Sequence, residues 1–344
     1  MQKKTISIIF IVVALLVGGA YLFFSQETEQ FPAKKVAIIQ YFSSLDEMVN
    51  AFKVGLKDIG YEEGKNITYS YQSAEGDQEA MQAIAEQAVS QNPDLIYAVT
   101  SVSGRAAKAA TERADRMDIP IIFAHADHPV ETGLVESMES SGNNTTGIAI
   151  NLGLLVGKKL EFLTSISPTI VTIGTFRSTY SDPAADFVLE ELRRQSASLH
   201  LRLKEYVIEN SPGSAAVREM QILADTVTAG DINALFVLPG PVANLDASQG
   251  ILVSLTKRLK IPSAFLLTNQ VTAGGLLSYS HDFTSIGLQA ARMAQKVFRG
   301  EKPSNIPLEV PEKNILAINL KTAQEIGVII PDTLQSLADH IFRE

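Results

Sequence analysis

Cysteine is absent from the 344 residues of this chain. Its absence excludes a disulfide framework, a zinc site with thiolate ligands, a thiol nucleophile and thiol redox chemistry, because each of these needs the sulfur atom. It also excludes the attachment of a lipid to an N-terminal cysteine. Any function of this protein therefore rests on other side chains.

Charge is also scarce, since only 19% of the residues are charged, and the 38 acidic residues outnumber the 29 basic ones to give a formal net charge of -9. A nucleic-acid-binding protein usually presents a basic face to phosphates, so this balance argues against nucleic acid as a partner. The hydrophobic share of 46% excludes intrinsic disorder and supplies a sizeable core. The length predicts two domains and a tail.

Long apolar runs are missing except at the N-terminus, where residues 6–24 carry no charge, Lys3 and Lys4 precede them and acidic residues follow. A helix over this segment would reach roughly 28 Å, close to the thickness of the bilayer core. Positive charge on its N-terminal side predicts that the rest of the chain lies outside the cytoplasm. Residues 1–30 are therefore predicted to form a membrane anchor. A cleaved secretory signal is the alternative, and it gives the same extracytoplasmic location.

From Lys34 onward, short β-branched runs alternate with helical patterns, which is typical of βαβ units around a parallel sheet. The rhythm runs through residues 36–124, and it resumes with a strand at 169–175. It ends with a strand at 315–319 and a last helix at 333–342. The sequence therefore predicts an α/β protein with two doubly wound parallel-sheet lobes.

Ligands of open parallel sheets bind beyond the carboxyl ends of the strands, where helices begin. Three loops of the first half combine aromatic rings, hydroxyls, a carboxylate and imidazoles at such positions. They are residues 40–44 (QYFSS), 101–104 (SVSG) and 125–129 (HADHP). Together they predict a site for a small molecule with an anionic end and an apolar body. The alternative is that the serines only cap helices.

Other chemistries find little support in the sequence. His125, Asp127 and His128 are residue types that bind zinc, but three ligands within four loop residues rarely converge on one ion, and no second cluster supports them. The chain lacks a G-x-S-x-G elbow, a phosphate-binding loop and a dinucleotide fingerprint. We therefore expect no metal, no cofactor and no enzymatic activity.

Several stretches resemble the ABC transporter substrate-binding proteins with the type I periplasmic-binding fold, in the branch that includes receptors for tryptophan and other aromatic amino acids. The similarity runs from about Lys34 to about Asp339, and it is carried by the order and spacing of short segments. These are residues 51–67 (AFKVGLKDIGYEEGKNI), 76–77 (GD), 119–123 (IPIIF), 129–135 (PVETGLV), 144–147 (NTTG), 299–303 (RGEKP) and 318–323 (INLKTA).

The resemblance implies two lobes joined by three crossovers, near residues 147–151, 280–282 and 303–311. The first lobe would comprise residues 34–147 and about 282–303, and the second lobe residues 148–281 and about 311–344. It also implies a receptor that closes on a small solute, an amino acid or a related organic molecule, and presents it to an ABC permease with its ATPase. His128 stands where the family often has Asp, and loops 238–242 and 268–270 are atypical, which leaves the solute open.

In this clamp we expect the first lobe to bind with Tyr41, Phe42, Ser43, Ser101, Ser103 and Asp127. The aromatic rings would cover the ligand body, Ser101 and Ser103 would hold a carboxylate, and Asp127 would hold an ammonium group. From the second lobe, four residues that follow predicted strands are expected to contribute. They are Thr175, Tyr180, Asn269 and Asp282.

A second hypothesis keeps the same clamp but makes it a membrane-anchored extracytoplasmic sensor that reports to a signalling partner. A neighbouring gene for a permease and an ATPase, as opposed to a kinase or cyclase, separates the two hypotheses. A monomer is expected in either case.

Overall fold

The computed structural model describes residues 32–180, 183–210, 213–240, 242–243 and 245–343. The expected membrane segment at residues 6–24 lies outside these ranges, so membrane attachment stays a prediction. Within the described ranges, no helix combines the length and apolar character needed to cross a bilayer.

The first lobe is built on a five-stranded sheet in the order β2-β1-β3-β4-β5, and every neighbouring pair is parallel. Its strands are β1 Lys34–Gln40, β2 Ile67–Ser73, β3 Leu95–Val99, β4 Ile121–Asp127 and β5 Thr145–Ile150. The connecting helices are α1 Asp46–Asp58, α2 Gln78–Ser90 and α3 Ser101–Arg113. All five residues of β3 are buried, as expected for a strand covered by helices on both faces.

The second lobe is built on a seven-stranded sheet in the order β12-β11-β10-β9-β8-β6-β7. Its strands are β6 Thr172–Ser178, β7 Arg202–Ile208, β8 Ala234–Phe236, β9 Ser263–Phe265, β10 Leu277–His281, β11 Asn314–Asn319 and β12 His340–Phe342. Only the pairing of β10 with β11 is antiparallel among these described strands.

The remaining helices mostly cover this second sheet. They are α4 Val156–Ile166, α5 Pro183–Ser198, α6 Ser214–Thr226, α7 Asp246–Leu259, α8 Thr268–Thr272, α9 Phe283–Phe298, α10 Leu320–Ile326 and α11 Asp332–Leu337, with short 3-10 turns at Ser43–Leu45, Leu152–Leu155 and Pro303–Asn305. Helix α9 is the exception, because it returns to the first lobe and packs against α1.

The chain crosses between the lobes three times, after β5, after β10 and before β11. Two of these crossings are tied together, since the Asp282 N–H donates to the Lys313 carbonyl at 2.9 Å. The crossing before β11 is also bonded to β5. The Ala149 N–H donates to the Glu309 carbonyl at 2.8 Å, and the Glu309 N–H donates to the Gly147 carbonyl at 3.0 Å. The crossings therefore form one hydrogen-bonded hinge, and the predicted two-lobed α/β architecture is confirmed.

Three element boundaries differ from the sequence predictions. Strand β5 stays in the first sheet through Ile150, three residues past the expected division. Strand β6 begins at Thr172, because Pro168 and Thr169 lie in a turn that the Ile170 N–H closes on the Ser167 carbonyl. The predicted last helix ends at Leu337, and His340–Phe342 pairs with β11 as an edge strand instead.

Candidate functional site

A cavity lies between the lobes, at the carboxyl ends of the parallel strands where open α/β sheets bind ligands. The space between its walls amounts to about 920 Å³, and part of it is open to solvent. The first lobe and helix α9 contribute Tyr41, Phe42, Leu45, Thr100, Ser101, Val102, Arg105, His125, Asp127, Thr132, Ile150 and Phe283. The segments after β5 contribute Leu152, Leu155, Lys159, Pro183, Ala184, Pro239, Gly240, Leu266, Leu267, Tyr279 and Ser280.

An aromatic wall follows β1. The rings of Tyr41 and Phe42 meet edge to face with centroids 4.6 Å apart, and the Tyr41 hydroxyl donates to the Gly76 carbonyl at 2.7 Å. Gly76 has a φ of +82°, and a Cβ there would come within 2.8 Å of the Phe42 ring. Glycine at this position thus allows the loop to support Phe42, and the wall offers a fixed surface for an apolar ligand body.

The loop between β3 and α3 is strained and tightly bonded. Thr100 has a φ of +91°, which is unfavourable for a β-branched residue. The Ser101 hydroxyl accepts from the Asp127 N–H at 2.8 Å and donates to the Asp127 carbonyl at 3.3 Å. Ser101 therefore fixes the end of β4 against the first turn of α3 and so positions Asp127.

Strand β4 carries a bulge, since its register against β5 shifts between Phe123 and Ala126. His125 lies in this bulge with a φ of +57°, and its ring is edge-on to those of His281 and Phe283 at 5.9 and 5.2 Å. Removal from water, and then the nearby His281, lower the pKa of His125 to about 3. The imidazole is therefore neutral at physiological pH, and the bulge turns it toward the cavity.

Asp127 ends β4 as a buried carboxylate. Its Oδ1 accepts from the Leu152 N–H at 3.1 Å and lies 3.1 Å from Nδ1 of His128. The His128 ring in turn stacks on Phe187 of the second lobe with centroids 3.9 Å apart. The two histidines of this loop thus point to different neighbours. Within the described ranges, no three histidine or acidic side chains are grouped to hold a metal ion.

The second lobe contributes one buried cation, Lys159 of α4, whose side chain lines the cavity and is 5% exposed. Its Nζ lies 5.6 Å from the centroid of the Phe236 ring, and burial lowers the pKa of Lys159 to about 8. Apolar side chains and the ring of Tyr279 form most of the remaining wall on this side. The cavity therefore combines an apolar interior with two charged groups from the first lobe, Asp127 and Arg105, and one from the second lobe, Lys159.

Four of the ten residues predicted for the site line this cavity, namely Tyr41, Phe42, Ser101 and Asp127. Two further first-lobe residues do not. Ser43 is exposed and donates to Glu75 at 3.0 Å. Ser103 is fully buried, and its hydroxyl contacts the Met81 sulfur at 3.3 Å, because it lies on the face of α3 that packs on the lobe's own core.

The four residues expected from the second lobe also lie away from the cavity wall. Thr175 is fully buried in the middle of β6, since the strand ends three residues later than predicted. Asn269 is exposed on α8, and the preceding Leu266 and Leu267 face the cavity instead. Asp282 caps α9 through the Ser285 N–H at 3.1 Å.

Tyr180 is the fourth of these residues. Its hydroxyl donates to Oε1 of Gln78 on the first lobe at 3.0 Å. Tyr180 also borders a smaller pocket, together with Phe176 and Ile208. Tyr180 therefore joins the two lobes outside the main cavity.

Sequence reasoning missed Lys159, although the sequence carries a signal for it. Val156, Leu160 and Leu163 recur at helical spacing and are buried, and Lys159 falls within this apolar stripe. A lysine inside an apolar stripe indicates a buried cation, and buried lysines are rare unless they have a partner. Arg105, Tyr279 and Phe283 were also missed, because ordinary amphipathic patterns surround them.

Comparison with known proteins agrees with this architecture. The family model described as ABC transporter substrate binding protein matches residues 35–342. A tyrosine-binding protein of Clostridioides difficile is 30% identical over 307 residues, which cover 88% of this chain and 84% of that protein.

Solved structures show the same fold. A conserved domain protein of Vibrio cholerae aligns with a TM-score of 0.79 and 25% identity over 90% of this chain and 99% of its own. A Streptococcus pneumonia ABC domain in complex with L-Trp aligns with a TM-score of 0.77 and 24% identity, over 90% and 100% of the two chains. The resemblance found in the sequence is confirmed. The chain belongs to the ABC transporter substrate-binding proteins, a family of solute-binding proteins and not of enzymes.

Proposed function

We propose that this protein is the extracytoplasmic receptor of an ABC importer and that its solute is an aromatic amino acid. The observation that carries the proposal is the cavity between the lobes, where aromatic and aliphatic side chains surround a carboxylate, Asp127, and an ammonium group, Lys159. A ligand with an aromatic body and both charges complements such a cavity, because each polar end finds an opposite charge and the body is removed from water.

In this arrangement Tyr41 and Phe42 cover the aromatic body, and Asp127 binds the ammonium group. Ser101 holds Asp127 in place by its two hydrogen bonds to the Asp127 main chain. The similarity to a tyrosine-binding protein supports an aromatic amino acid as the solute. The solved structure that contains L-Trp has the same fold.

The ligand is proposed to stabilise the closed arrangement of the lobes, because it contacts both of them and the hinge lets them separate. The closed form is then recognised by a membrane permease that works with an ATPase, and residues 6–24 keep the protein at the membrane. Loss of uptake of a labelled aromatic amino acid in cells that lack this protein would support the delivery step. Unchanged uptake would contradict it.

Calorimetry with the purified protein tests the ligand assignment. L-Tyrosine, L-tryptophan and L-phenylalanine are compared with L-alanine and glucose, and at least one aromatic amino acid is expected to bind most tightly. Tyr41→Ala should weaken that binding at least about tenfold, because it removes a ring contact worth about 0.5–1.5 kcal/mol beyond the buried area. Ser43→Ala is the matched control, since Ser43 lies two residues away, is exposed and does not line the cavity.

Binding by Ser43→Ala should equal that of the unchanged protein. The proposal is contradicted if alanine or glucose binds as tightly as every aromatic amino acid. It is also contradicted if Tyr41→Ala and Ser43→Ala bind an aromatic ligand equally well.

A further inference from the structure

Lys159 lies between Val156 and Leu160 in a buried helical stripe, and its side chain is enclosed. Val156 and Leu160 of the same helix are 1% and 0% exposed, and Lys159 itself is 5% exposed. The neighbouring Lys158 is 41% exposed at its side chain and pairs with Glu161 at 2.8 Å. The two adjacent lysines therefore differ in burial, because Lys158 is exposed to solvent whereas Lys159 is buried and lines the cavity.

Among the described residues, no carboxylate lies within ion-pair distance of Lys159. The ring of Phe236, 5.6 Å away, offers a cation–π contact that offsets part of the desolvation but does not replace an anion. Burial of an ammonium group without an anion costs stability. The group is therefore expected to serve a partner that is not part of the chain.

The two serine hydroxyls that were expected to hold an anion are engaged elsewhere. The Ser103 hydroxyl is turned into the core against Met81, and the Ser101 hydroxyl is bonded to the main chain of Asp127. Arg105 is a second cation on the cavity wall, from the first lobe, and it is only partly buried. Lys159 is the more enclosed cation, and it is the one that the second lobe brings to the cavity.

We infer that Lys159 is a specificity-determining residue that binds the carboxylate of the ligand from the second lobe, and that it makes the site select amino acids over the corresponding amines. This inference rests on the proposed function. The two charges of the ligand are then bound by different lobes, the ammonium group by Asp127 and the carboxylate by Lys159. A ligand that carries both charges then connects the lobes through ion pairs.

The test compares Lys159→Met with Lys158→Met in calorimetric titrations with L-tryptophan and with tryptamine, which lacks the carboxylate. Methionine keeps the length and apolar character of the lysine stem. Lys159→Met should weaken L-tryptophan binding at least about 30-fold, as expected for loss of one partner of an enclosed charge pair. Lys158→Met should bind L-tryptophan like the unchanged protein, and tryptamine should bind no more weakly to Lys159→Met than to the unchanged protein.

The outcomes separate the two proposals. If the unchanged protein binds L-tryptophan and Lys159→Met binds it equally well, the role of Lys159 is overturned and the proposed function stands. If no aromatic amino acid binds to the unchanged protein, the proposed function is overturned. L-Tyrosine and tyramine provide a second matched pair of probes for the same comparison.

A second measurement needs no variant. Indole-3-propionate carries a carboxylate but no amine, so its own charge is constant from pH 7 to 9.5. In the ligand-free protein, burial lowers the pKa of Lys159 to about 8. Above pH 8, Lys159 must therefore take up a proton when indole-3-propionate binds. The affinity for indole-3-propionate should then fall by up to about tenfold per pH unit. An affinity that stays constant from pH 7 to 9.5 would overturn the inference.

Other titratable groups near the cavity do not produce this fall. His125 is already neutral in that range, since its pKa is lowered to about 3. Burial lowers the pKa of His281, the contact of its Nδ1 with Oδ1 of Asn314 at 2.7 Å raises it, and the nearby charge of Lys159 lowers it.

Discussion

His125 shows how a single residue in the cleft is held in an unfavourable state. Its backbone is left-handed, at a φ of +57°, and its ring is enclosed by His281 and Phe283. Both features cost free energy, because the left-handed region disfavours residues with a Cβ and the enclosure disfavours the charged imidazole. Such costs are commonly concentrated at binding sites.

The enclosure of His125 predicts a loss of stability in acid. The pKa of His125 in the folded protein, about 3, lies below the ordinary value near 6.5 of the unfolded chain, so protons bind preferentially to the unfolded state. The free energy of unfolding should therefore fall as the pH decreases from about 6.5, by at most about 1.4 kcal/mol per pH unit for this group. His125→Asn, which tolerates the left-handed backbone, should reduce that fall.

Urea unfolding at pH 7.5 and pH 5 measures the effect. His200→Asn is the matched control, because His200 has the same φ of +57° but is exposed. The control should lose as much stability between the two pH values as the unchanged protein. Equal losses in His125→Asn and His200→Asn would contradict the explanation.

The sequence predicted the first-lobe part of the site better than the second-lobe part. Tyr41 and Ser101 come just after strands, and Asp127 ends one, and the apolar runs of these strands could be recognised in the sequence. Thr175 was misplaced because its strand begins after the turn at Pro168. Lys159 lies in a helix that follows the first crossing between the lobes. It reaches the cavity only in the folded chain, so its place could not be seen in the local sequence.

At the level of elements, the contact between α1 and α9 depends on glycines that let the two helices approach closely. A Cβ at Gly55 would lie 2.6 Å from the Cβ of Ala291. A Cβ at Gly287 would lie 2.6 Å from the Cβ of Ala51 and would collide with the Met48 carbonyl. Because α9 follows the second crossing, this contact attaches the returning chain to the first lobe.

Gly287→Ala should separate the two helices and lower the free energy of unfolding by about 1–3 kcal/mol, the usual cost of overpacking. Chemical unfolding gives the value. Gly250→Ala is the control, since Gly250 lies in α7 with nothing near the position of an added Cβ. Alanine there should raise stability by up to about 1 kcal/mol, because it favours the helix. A Gly287→Ala protein as stable as the unchanged one would contradict this account of the interface.

Most elements could be predicted from periodicity, and the exceptions have local causes. The last helix of the chain gives way to β12 because Asp339 engages β11, with its N–H donating to the Leu316 carbonyl at 2.9 Å and its carboxylate accepting from the Leu316 N–H at 3.0 Å. Pairing with a distant strand of this kind leaves no trace in the local pattern. The antiparallel direction of β11 could not be predicted either, because it also depends on pairing with another strand.

For the molecule as a whole, side chains in the described part of the chain also link the two lobes away from the hinge. Tyr180 is hydrogen-bonded to Gln78 at 3.0 Å, and His128 stacks on Phe187. Both contacts join residues of opposite lobes, so both exist only while the lobes are together. They favour the closed arrangement independently of the ligand.

Tyr180→Phe should shift the ligand-free protein toward the open form. Loss of one hydrogen bond, worth about 0.5–1.5 kcal/mol, should increase the radius of gyration in small-angle scattering and weaken L-tryptophan binding about two- to tenfold. Tyr71→Phe is the control, because its hydroxyl bonds to Asp46 within the first lobe. The same radius and affinity in both variants would show that the contact does not influence closure.

The two-lobed plan was the most predictable property of the chain, because it depends on the repeated strand and helix rhythm and not on any one residue. The exact place of each crossing was less predictable. The first sheet keeps Ile150 because Ala149 is paired with Glu309, a residue far along the sequence.

The three hydrogen-bonded crossings also restrict how the lobes can move. A single connecting strand would let them twist, slide and bend, whereas three segments bonded side by side through Asp282, Lys313 and Glu309 resist shear and torsion. Bending about one axis is the motion that leaves those bonds intact. Any partner that senses the angle between the lobes would therefore receive a simple signal, with one degree of freedom that distinguishes the empty protein from the ligand-bound one.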